Sequence, residues 1–378
     1  MVTTRPTWWT VQAPEGVPTD RLFFDQLVVW QRQHGRHGLP WQGTRDPYRV
    51  WLSEVMLQQT QVSTVLGYYP QFLARFPDVQ ALAAAPVDEV LALWSGLGYY
   101  SRARNLHRCA QAVVAQGGVF PQSAQALQAL PGIGPSTAAA IAAFCFGERV
   151  SILDGNVKRV LARLLGFSGD MADARQVQAL WGLAQGLVPG DATPDAMAAY
   201  TQGLMDLGAG LCARRRPQCL LCPAQAMCVA HREGLTDTLP MKSRRVARRS
   251  EHWWLLVWRR SDGAVWLEQR PSQGIWSGLH AFPVHSSLEA LEAAVCADGV
   301  TGLATTHPTV KHDLTHRELF LHLVEQLWPS GANPTGSGLW LAPGAALDLG
   351  LPAPIKVWLT ADRSRPAPGG GVAPASGR

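Results

Sequence analysis

The residues whose types and spacing most plainly point to chemistry are four cysteines, in the pattern Cys212-x6-Cys219-x2-Cys222-x5-Cys228. Four thiolates in so short a loop can close around one metal centre, either a cubane iron–sulfur cluster or a tetrahedral zinc. Zinc knuckles usually present two tight Cys-x2-Cys pairs, whereas one such pair with two outlying ligands favours a single [4Fe-4S] cluster. A disulfide framework is not the expectation in a long chain of intracellular character. Cys109, Cys145 and Cys296 stand singly in apolar or helical sequence and read as core filler. Arg214, Arg215 and Arg216 lie between the first two ligands. Guanidiniums on a ligand-tied loop lose little entropy on binding, so Arg214 and Arg216 are candidate contacts to DNA phosphates.

A second constellation is Leu130-Pro-Gly-Ile-Gly134-Pro-Ser-Thr-Ala-Ala-Ala-Ile141, a glycine-rich turn between a helical segment at 123–129 and one opening at Pro135. Gly132 and Gly134 permit close backbone approach, and the amides opening the second helix suit a phosphate. This is a helix-hairpin-helix. Downstream, Ile152-Leu-Asp-Gly-Asn-Val-Lys-Arg159 sets an acid at the end of an apolar stretch, just before a helix. Asp154 can cap that helix and also turn its carboxylate toward a sugar. In a segment read as one helix from Tyr48 to Val62, Glu54 stands among apolar neighbours, where desolvation raises a carboxyl toward the pKa of a general acid. The run Gln58-Gln59-Thr60-Gln61 offers amides and a hydroxyl able to enter a base stack.

These groups need a scaffold. From 20 to 230, apolar residues recur at helical spacing between short Pro/Gly breaks, the mark of an all-α domain; Asp46-Pro47 opens one helix with an acidic cap and a first-turn proline. The basic run Lys242-Ser-Arg-Arg-Val-Ala-Arg-Arg249 marks an interdomain linker, 231–250. Beyond it, β-type runs at 253–258, 264–268 and 319–324 and a helix at 287–297 make a small α+β domain, 251–362. Segments 1–19 and 363–378 read as an N-terminal tail and a disordered tail. A chain of 378 residues fits two domains. Its 33 Lys+Arg against 28 Asp+Glu leave a net charge of only +5, which excludes a histone-like surface and requires any attraction to polyanions to be local. No run approaches the roughly 18 apolar residues of a membrane span, and the start lacks a secretory signal, so a soluble cytoplasmic protein with no membrane partner is expected.

In order and spacing these motifs resemble the MutY family of adenine DNA glycosylases: Leu39-Pro-Trp41, Trp51-Leu-Ser-Glu-Val-Met-Leu-Gln-Gln-Thr-Gln-Val62, Gly96-Leu-Gly-Tyr-Tyr-Ser-Arg-Ala-Arg-Asn105, the hairpin, the 152–159 segment and the four cysteines. Residues 251–360 resemble more weakly that family's C-terminal domain, itself similar to Nudix hydrolases. The resemblance implies a multidomain enzyme, with an all-α helix-hairpin-helix glycosylase domain carrying a [4Fe-4S] loop at 212–228, followed by a small α+β Nudix-like domain. It implies hydrolysis of the N-glycosidic bond of adenine mispaired with 8-oxoguanine or guanine in duplex DNA, the base being flipped into a pocket. A monomer that meets the nucleoid through its DNA follows.

Carried over residue by residue, Glu54 would protonate the adenine ring and handle the water, Asp154 would stabilise the oxocarbenium-like sugar, and Asn156 would support it. One carboxyl held protonated in an apolar site beside one held ionised divides that labour. Trp41 and Gln202 would line the adenine pocket. Gln59, Leu97 and Tyr99 would contact DNA, Gln59 and Tyr99 as wedges beside 8-oxoguanine. Gly132, Gly134 and Ser136 would hold the backbone, and Thr315 with His316, in His312-Asp-Leu-Thr-His316, would read the damaged base.

Two departures carry information. Ser136 stands two residues after Gly134, where bifunctional relatives place a lysine; without that amine a Schiff base with the sugar has no nucleophile, so a monofunctional glycosylase is expected. Arg270-Pro-Ser-Gln-Gly-Ile-Trp-Ser-Gly-Leu279 with Phe282-Pro283 resembles the Nudix core, yet no Arg-Glu-x2-Glu-Glu metal box follows, and magnesium-dependent pyrophosphate hydrolysis is not expected. The rival readings are a thymine or oxidised-pyrimidine glycosylase-lyase, opposed by Ser136 and the appended domain, and a non-catalytic DNA-binding protein, opposed by Glu54 with Asp154.

Overall fold

The computed structural model describes residues 19–243, 248–301, 304–314, 316–329, 331 and 333–362. Its helices before the cysteine loop are α1 (Thr19–His34), α2 (Pro47–Leu57), α3 (Val62–Arg75), α4 (Val79–Ala84), α5 (Val87–Trp94), α6 (Ser101–Ala115), α7 (Ala124–Leu127), α8 (Pro135–Phe146), α9 (Gly155–Leu165), α10 (Ala174–Gly186) and α11 (Pro194–Ala209); the short α12 (Val229–Arg232) follows the loop. Then come β1 (Arg249–Arg259), β2 (Val265–Gln269), β3 (His280–Ala281), β4 (Val284–His285), α13 (Leu288–Ala297), β5 (Thr305–Thr306), β6 (Val310–Asp313), β7 (Arg317–Leu327), β8 (Gly338–Leu341), α14 (Pro343–Ala346) and α15 (Ala353–Asp362). These divide into two compact units, 19–83 with 108–243 and 84–107 with 248–362.

In the helical unit α8 is the central element. Its run from Thr137 to Ala143 is wholly buried, because alanines let α2, α7 and α11 approach from different sides. α1 lies along α11, where Gly203 makes the contact possible: a Cβ there would sit 2.9 Å from Leu27 Cγ. Phe23, Phe24, Leu27, Leu161, Tyr200 and Leu204 fill the space between α1, α9 and α11, with Phe24 stacked on Tyr200 at 4.6 Å. Burying six such side chains contributes on the order of 10 kcal/mol.

The other unit is built on a mixed sheet of order β3-β2-β1-β7-β5. β1 and β7 pair in parallel along their whole length, from Arg249 opposite Arg317 to Arg259 opposite Leu327, and the flanking strands are antiparallel. Leu256, Trp258, Trp266 and Val324 pack with Leu291 of α13. The buried Arg259 guanidinium binds Glu325 at 2.5 Å and Asp362 at 2.9 Å, tying α15 to the sheet. Residues 84–107 close onto this unit: Tyr100 and Ser95 hydroxyls donate to the Leu351 carbonyl at 2.6 and 3.1 Å, and Arg104 Nη1 donates to Ser277 O at 2.5 Å.

Several expectations change. The segment from Tyr48 to Val62 is not one helix: α2 stops at Leu57, Gln58 leaves helical geometry at ψ 109°, and Gln59 turns to φ 58° before α3. Helical periodicity in the flanks concealed the break, since no glycine or proline marks it. β1 begins at Arg249, inside the segment expected to be linker. Cys109 and Cys145 are buried as expected, but Cys296, in the last turn of α13, is exposed. Thr315, the linker residues 244–247 and the two expected tails beyond 19 and 362 lie outside the described residues.

Candidate active site

A cleft of about 1170 Å³ opens in the helical unit, and Trp41, Glu54, Ser136, Asp154, Asn156 and Gln202 all line it. α2 places Glu54. Asp46 caps that helix by accepting from Tyr48 N at 2.9 Å, while Val50, Trp51, Val55 and Met56 anchor its buried face. Glu54 meets the cleft, yet its carboxyl is desolvated: burial, with a smaller contribution from the negative charge of Asp154, pushes its pKa up to about 8. Asp154 is the N-cap of α9, and its Oδ1 accepts from Asn156 N at 2.9 Å and Val157 N at 2.7 Å. The cap uses one carboxylate oxygen and leaves Oδ2 outside it. Ser136 Oγ accepts from Leu153 N at 3.3 Å and so joins the hairpin to the segment that leads into Asp154.

The wall opposite comes from α11 and the loop after α1. Gln202 Nε2 donates to Asp206 Oδ1 at 2.8 Å; Arg36 donates to the same carboxylate through Nε at 2.7 Å and its backbone N at 2.9 Å. Trp41 is buried and sets its ring edge-on to Tyr69, 5.4 Å between centroids. Asn156 is exposed on the first turn of α9, where its Oδ1 accepts from Arg159 Nη2 at 3.0 Å. Arg159 also donates to Gly208 O at 2.6 Å and Cys212 O at 2.9 Å, and Gly208 must lack a Cβ because one would fall 2.9 Å from that of Asn156. Sequence reasoning missed Arg36, Asp206 and Arg159. The first two partners are 170 residues apart, and no local spacing announces such a pair.

The hairpin forms as read. Gly132 has φ 75°, a left-handed position that penalises any Cβ, and Gly134 caps α8 with Pro135 in the first turn. Gln58 Nε2 reaches Thr137 Oγ1 at 3.2 Å, which braces the turn that holds Gln59 exposed. In the other unit Tyr99 is exposed, also left-handed at φ 47°, and the buried Arg102 supports its loop by donating to Leu97 O at 2.9 Å and Gly98 O at 3.2 Å. Leu97 is buried beside the exposed Tyr99, so the loop turns its apolar residue inward and its tyrosine outward. His316 is exposed, and its carbonyl accepts from Arg249 N at 3.1 Å.

Cys212, Cys219, Cys222 and Cys228 line one largely apolar pocket with Val160, Leu164 and Leu207. Among the described residues no group of three or more His, Cys, Asp or Glu side chains is disposed to hold a single metal ion. Arg163 organises the loop: Nη1 donates to Cys212 Sγ at 3.5 Å and Ala213 O at 2.7 Å, Nη2 to Arg214 O at 3.1 Å, and Nε to Leu239 O at 3.0 Å. Arg214, Arg215 and Arg216 project from it exposed. A donor set of four soft thiols around a common pocket, with a guanidinium at one sulfur, fits an iron–sulfur cluster.

A cleft that pairs a protonatable glutamate with an aspartate, beside a helix-hairpin-helix, is equipped to break a bond between a base and its sugar. That chemistry on this fold defines the helix-hairpin-helix DNA glycosylases. Residues 52–184 match the family described as HhH-GPD superfamily base excision DNA repair protein, and residues 254–361 match the NUDIX domain. The adenine DNA glycosylase of Buchnera aphidicola subsp. Acyrthosiphon pisum is 37% identical over 71% of this chain and 76% of its own. The adenine DNA glycosylase of Homo sapiens is 44% identical over 55% of this chain and 39% of its own. A solved thermostable thymine-DNA glycosylase shares 29% identity at a TM-score of 0.51, covering 57% of this chain and 97% of that one. The chain belongs to the adenine DNA glycosylases.

Proposed function

We propose that this protein hydrolyses the N-glycosidic bond of adenine mispaired with 8-oxoguanine or guanine in duplex DNA and leaves an abasic site uncut. The observation that carries the reading is Glu54 and Asp154 lining one cleft, with the glutamate held at a pKa of about 8. Neutral adenine is a poor leaving group. A carboxylic acid still protonated at neutral pH donates to a ring nitrogen, and its conjugate base then activates the attacking water. Asp154, outside the cap through Oδ2, faces the positive charge that develops at the sugar, with Asn156 beside it. Trp41 and Gln202 form the walls of the base pocket.

The duplex is held by the amides around Gly132 and Gly134, by Ser136, and by Arg214 and Arg216; Gln59 and Tyr99, both exposed and left-handed, act as wedges in the vacated stack. Monofunctional chemistry is supported by Ser136, whose hydroxyl is engaged with Leu153 N, and by the absence of lysine among the described residues lining the cleft. Thr315 and His316 read the 8-oxoguanine edge. Cys212, Cys219, Cys222 and Cys228 would hold one [4Fe-4S] cluster, which when bound supplies a cross-link that stiffens the loop bearing Arg214 and Arg216. The described residues contain no helix long and apolar enough to cross a membrane.

The deciding experiment is single-turnover cleavage of duplexes carrying A:8-oxoG, A:G, A:T or an oxidised pyrimidine, with and without alkali. Alkali-dependent breaks at A:8-oxoG and A:G are expected. Release from the oxidised pyrimidine alone, or breaks without alkali, would defeat the reading.

A further inference from the structure

The amide of Gln202 is not free to choose its orientation. Nε2 donates to Asp206 Oδ1, and the two oxygens of that carboxylate also accept from Arg36 Nε and N. The Asp206 side chain is 2% exposed, so water does not stand in for a missing partner. Reversing the amide would bring Gln202 Oε1 against an acceptor-only carboxylate in a desolvated setting. The carboxylate is itself held by the two Arg36 bonds, and Gly35 leaves it the room it occupies, since a Cβ there would lie 2.9 Å from Asp206 Oδ2. Gln202 therefore offers the cleft a fixed acceptor, Oε1, together with the second hydrogen of Nε2.

We propose that Asp206 is a positioning residue that makes the site select six-amino purines and refuse six-oxo purines. The inference rests on reading the cleft as the adenine site. An exocyclic amine donates to Oε1, while a ring nitrogen of the same base can accept the remaining Nε2 hydrogen. A six-oxo purine brings a carbonyl to the same place and sets acceptor against acceptor. Sites built around one buried hydrogen-bonding partner reject a base that cannot answer it far more strongly than a site of matching shape alone.

The test uses the full-length protein and duplexes bearing 2′-deoxyadenosine, 2′-deoxyinosine or unsubstituted purine 2′-deoxyriboside opposite 8-oxoguanine. In single turnover the wild type is expected to release hypoxanthine at least about tenfold more slowly than purine, which lacks both the amine and the carbonyl. Asp206→Asn lets an amide at 206 donate to a reversed Gln202, and the adenine-over-hypoxanthine ratio should fall on the order of tenfold. A purely structural loss would slow both bases and leave the ratio unchanged, which would overturn the proposal. Gln202→Leu should lower the ratio by itself, and adding Asp206→Asn to it should change the ratio no further; an additional fall would also overturn it. If Asp206→Asn does not fold, equal release of purine and hypoxanthine by the wild type decides against it. A wild type that releases no adenine would remove the site reading and this inference together.

Discussion

The cleft and the β6–β7 connection are both assigned to base recognition, and they are built in opposite ways. At the cleft several polar groups are committed: Asp154 Oδ1 to two backbone amides, Gln202 to Asp206 behind it, Asp206 to Arg36, and Asn156 to Arg159. At the connection, by contrast, His316 is exposed, and on the flanking strands Lys311 of β6 pairs with Glu318 of β7 at 2.8 Å at the surface. A preorganised site can stabilise a transition state, because its dipoles need not move as charge develops. A surface segment can add affinity for one base over another, but its groups still exchange with water. Substitutions in the cleft should therefore act on rate and by large factors, and those in the connection on discrimination and by small ones.

The sharpest break of that comparison is Glu54→Gln. The amide keeps shape but cannot deliver the proton, and single-turnover adenine release should drop by about 10³-fold or more with mismatch binding within a few-fold of wild type. Release within tenfold of wild type would end the assignment. The wild-type rate should hold below neutral pH and fall tenfold per unit above about 8, the pKa that burial gives Glu54. The same carboxyl leaves a mark on stability. Its folded pKa is raised, so its contribution is full below the ordinary value of 4.5 and is lost as pH rises through about 8. Glu54→Gln should accordingly gain Tm on wild type between about pH 5 and about pH 9, and a constant difference would contradict the buried acid.

Next in size, Asp154→Asn should cost roughly 10²–10³-fold in rate and much less in binding, since its charge is needed chiefly as the sugar becomes cationic. An unaltered single-turnover rate would refute that role. In the β6–β7 connection, alanine at both Thr315 and His316 should leave adenine release from A:G nearly unchanged and reduce the A:8-oxoG preference by about tenfold, the equivalent of one or two base-edge hydrogen bonds. A loss spread equally over both substrates would show that the segment holds duplex without reading it. Point substitution is cleaner than truncation here, because removing the end of the chain also removes Ser277 and Leu351, the acceptors for Arg104, Ser95 and Tyr100. The smallest effects belong to Arg214→Ala and Arg216→Ala. Each should weaken all duplexes alike, by a few-fold, and lower the salt slope by about one.

What the sequence disclosed follows from range. Helix caps at Asp46 and Asp154 act over two or three residues, so residue type and spacing were enough to find them. The hairpin and the cysteine loop are likewise local. Arg36 with Asp206 was illegible because nothing near either residue requires the other. The break after Leu57 was illegible for a different reason: Gln59 takes a left-handed turn that sequence would assign to glycine or asparagine, and its cost is met by the brace from Gln58 to Thr137 and not by its own preferences. The membership of 84–107 in the sheet-bearing unit also depends on partners far along the chain, which motif order could not reveal.

That membership sets a schedule for biosynthesis. The helix α5 leaves the ribosome early, but the carbonyl that receives Ser95 is made 256 residues later, and the one that receives Arg104 is made 173 residues later. At typical elongation rates the first of these intervals lasts on the order of tens of seconds. Through that time the flanking helices can condense while the excursion between them waits with polar groups unclaimed. A premature stop codon between Leu341 and Leu351 would therefore do more than shorten the chain at its end. It would strand a segment translated long before, and the nascent product should be recognised by chaperones and proteases through 84–107 as well as through its truncated tail.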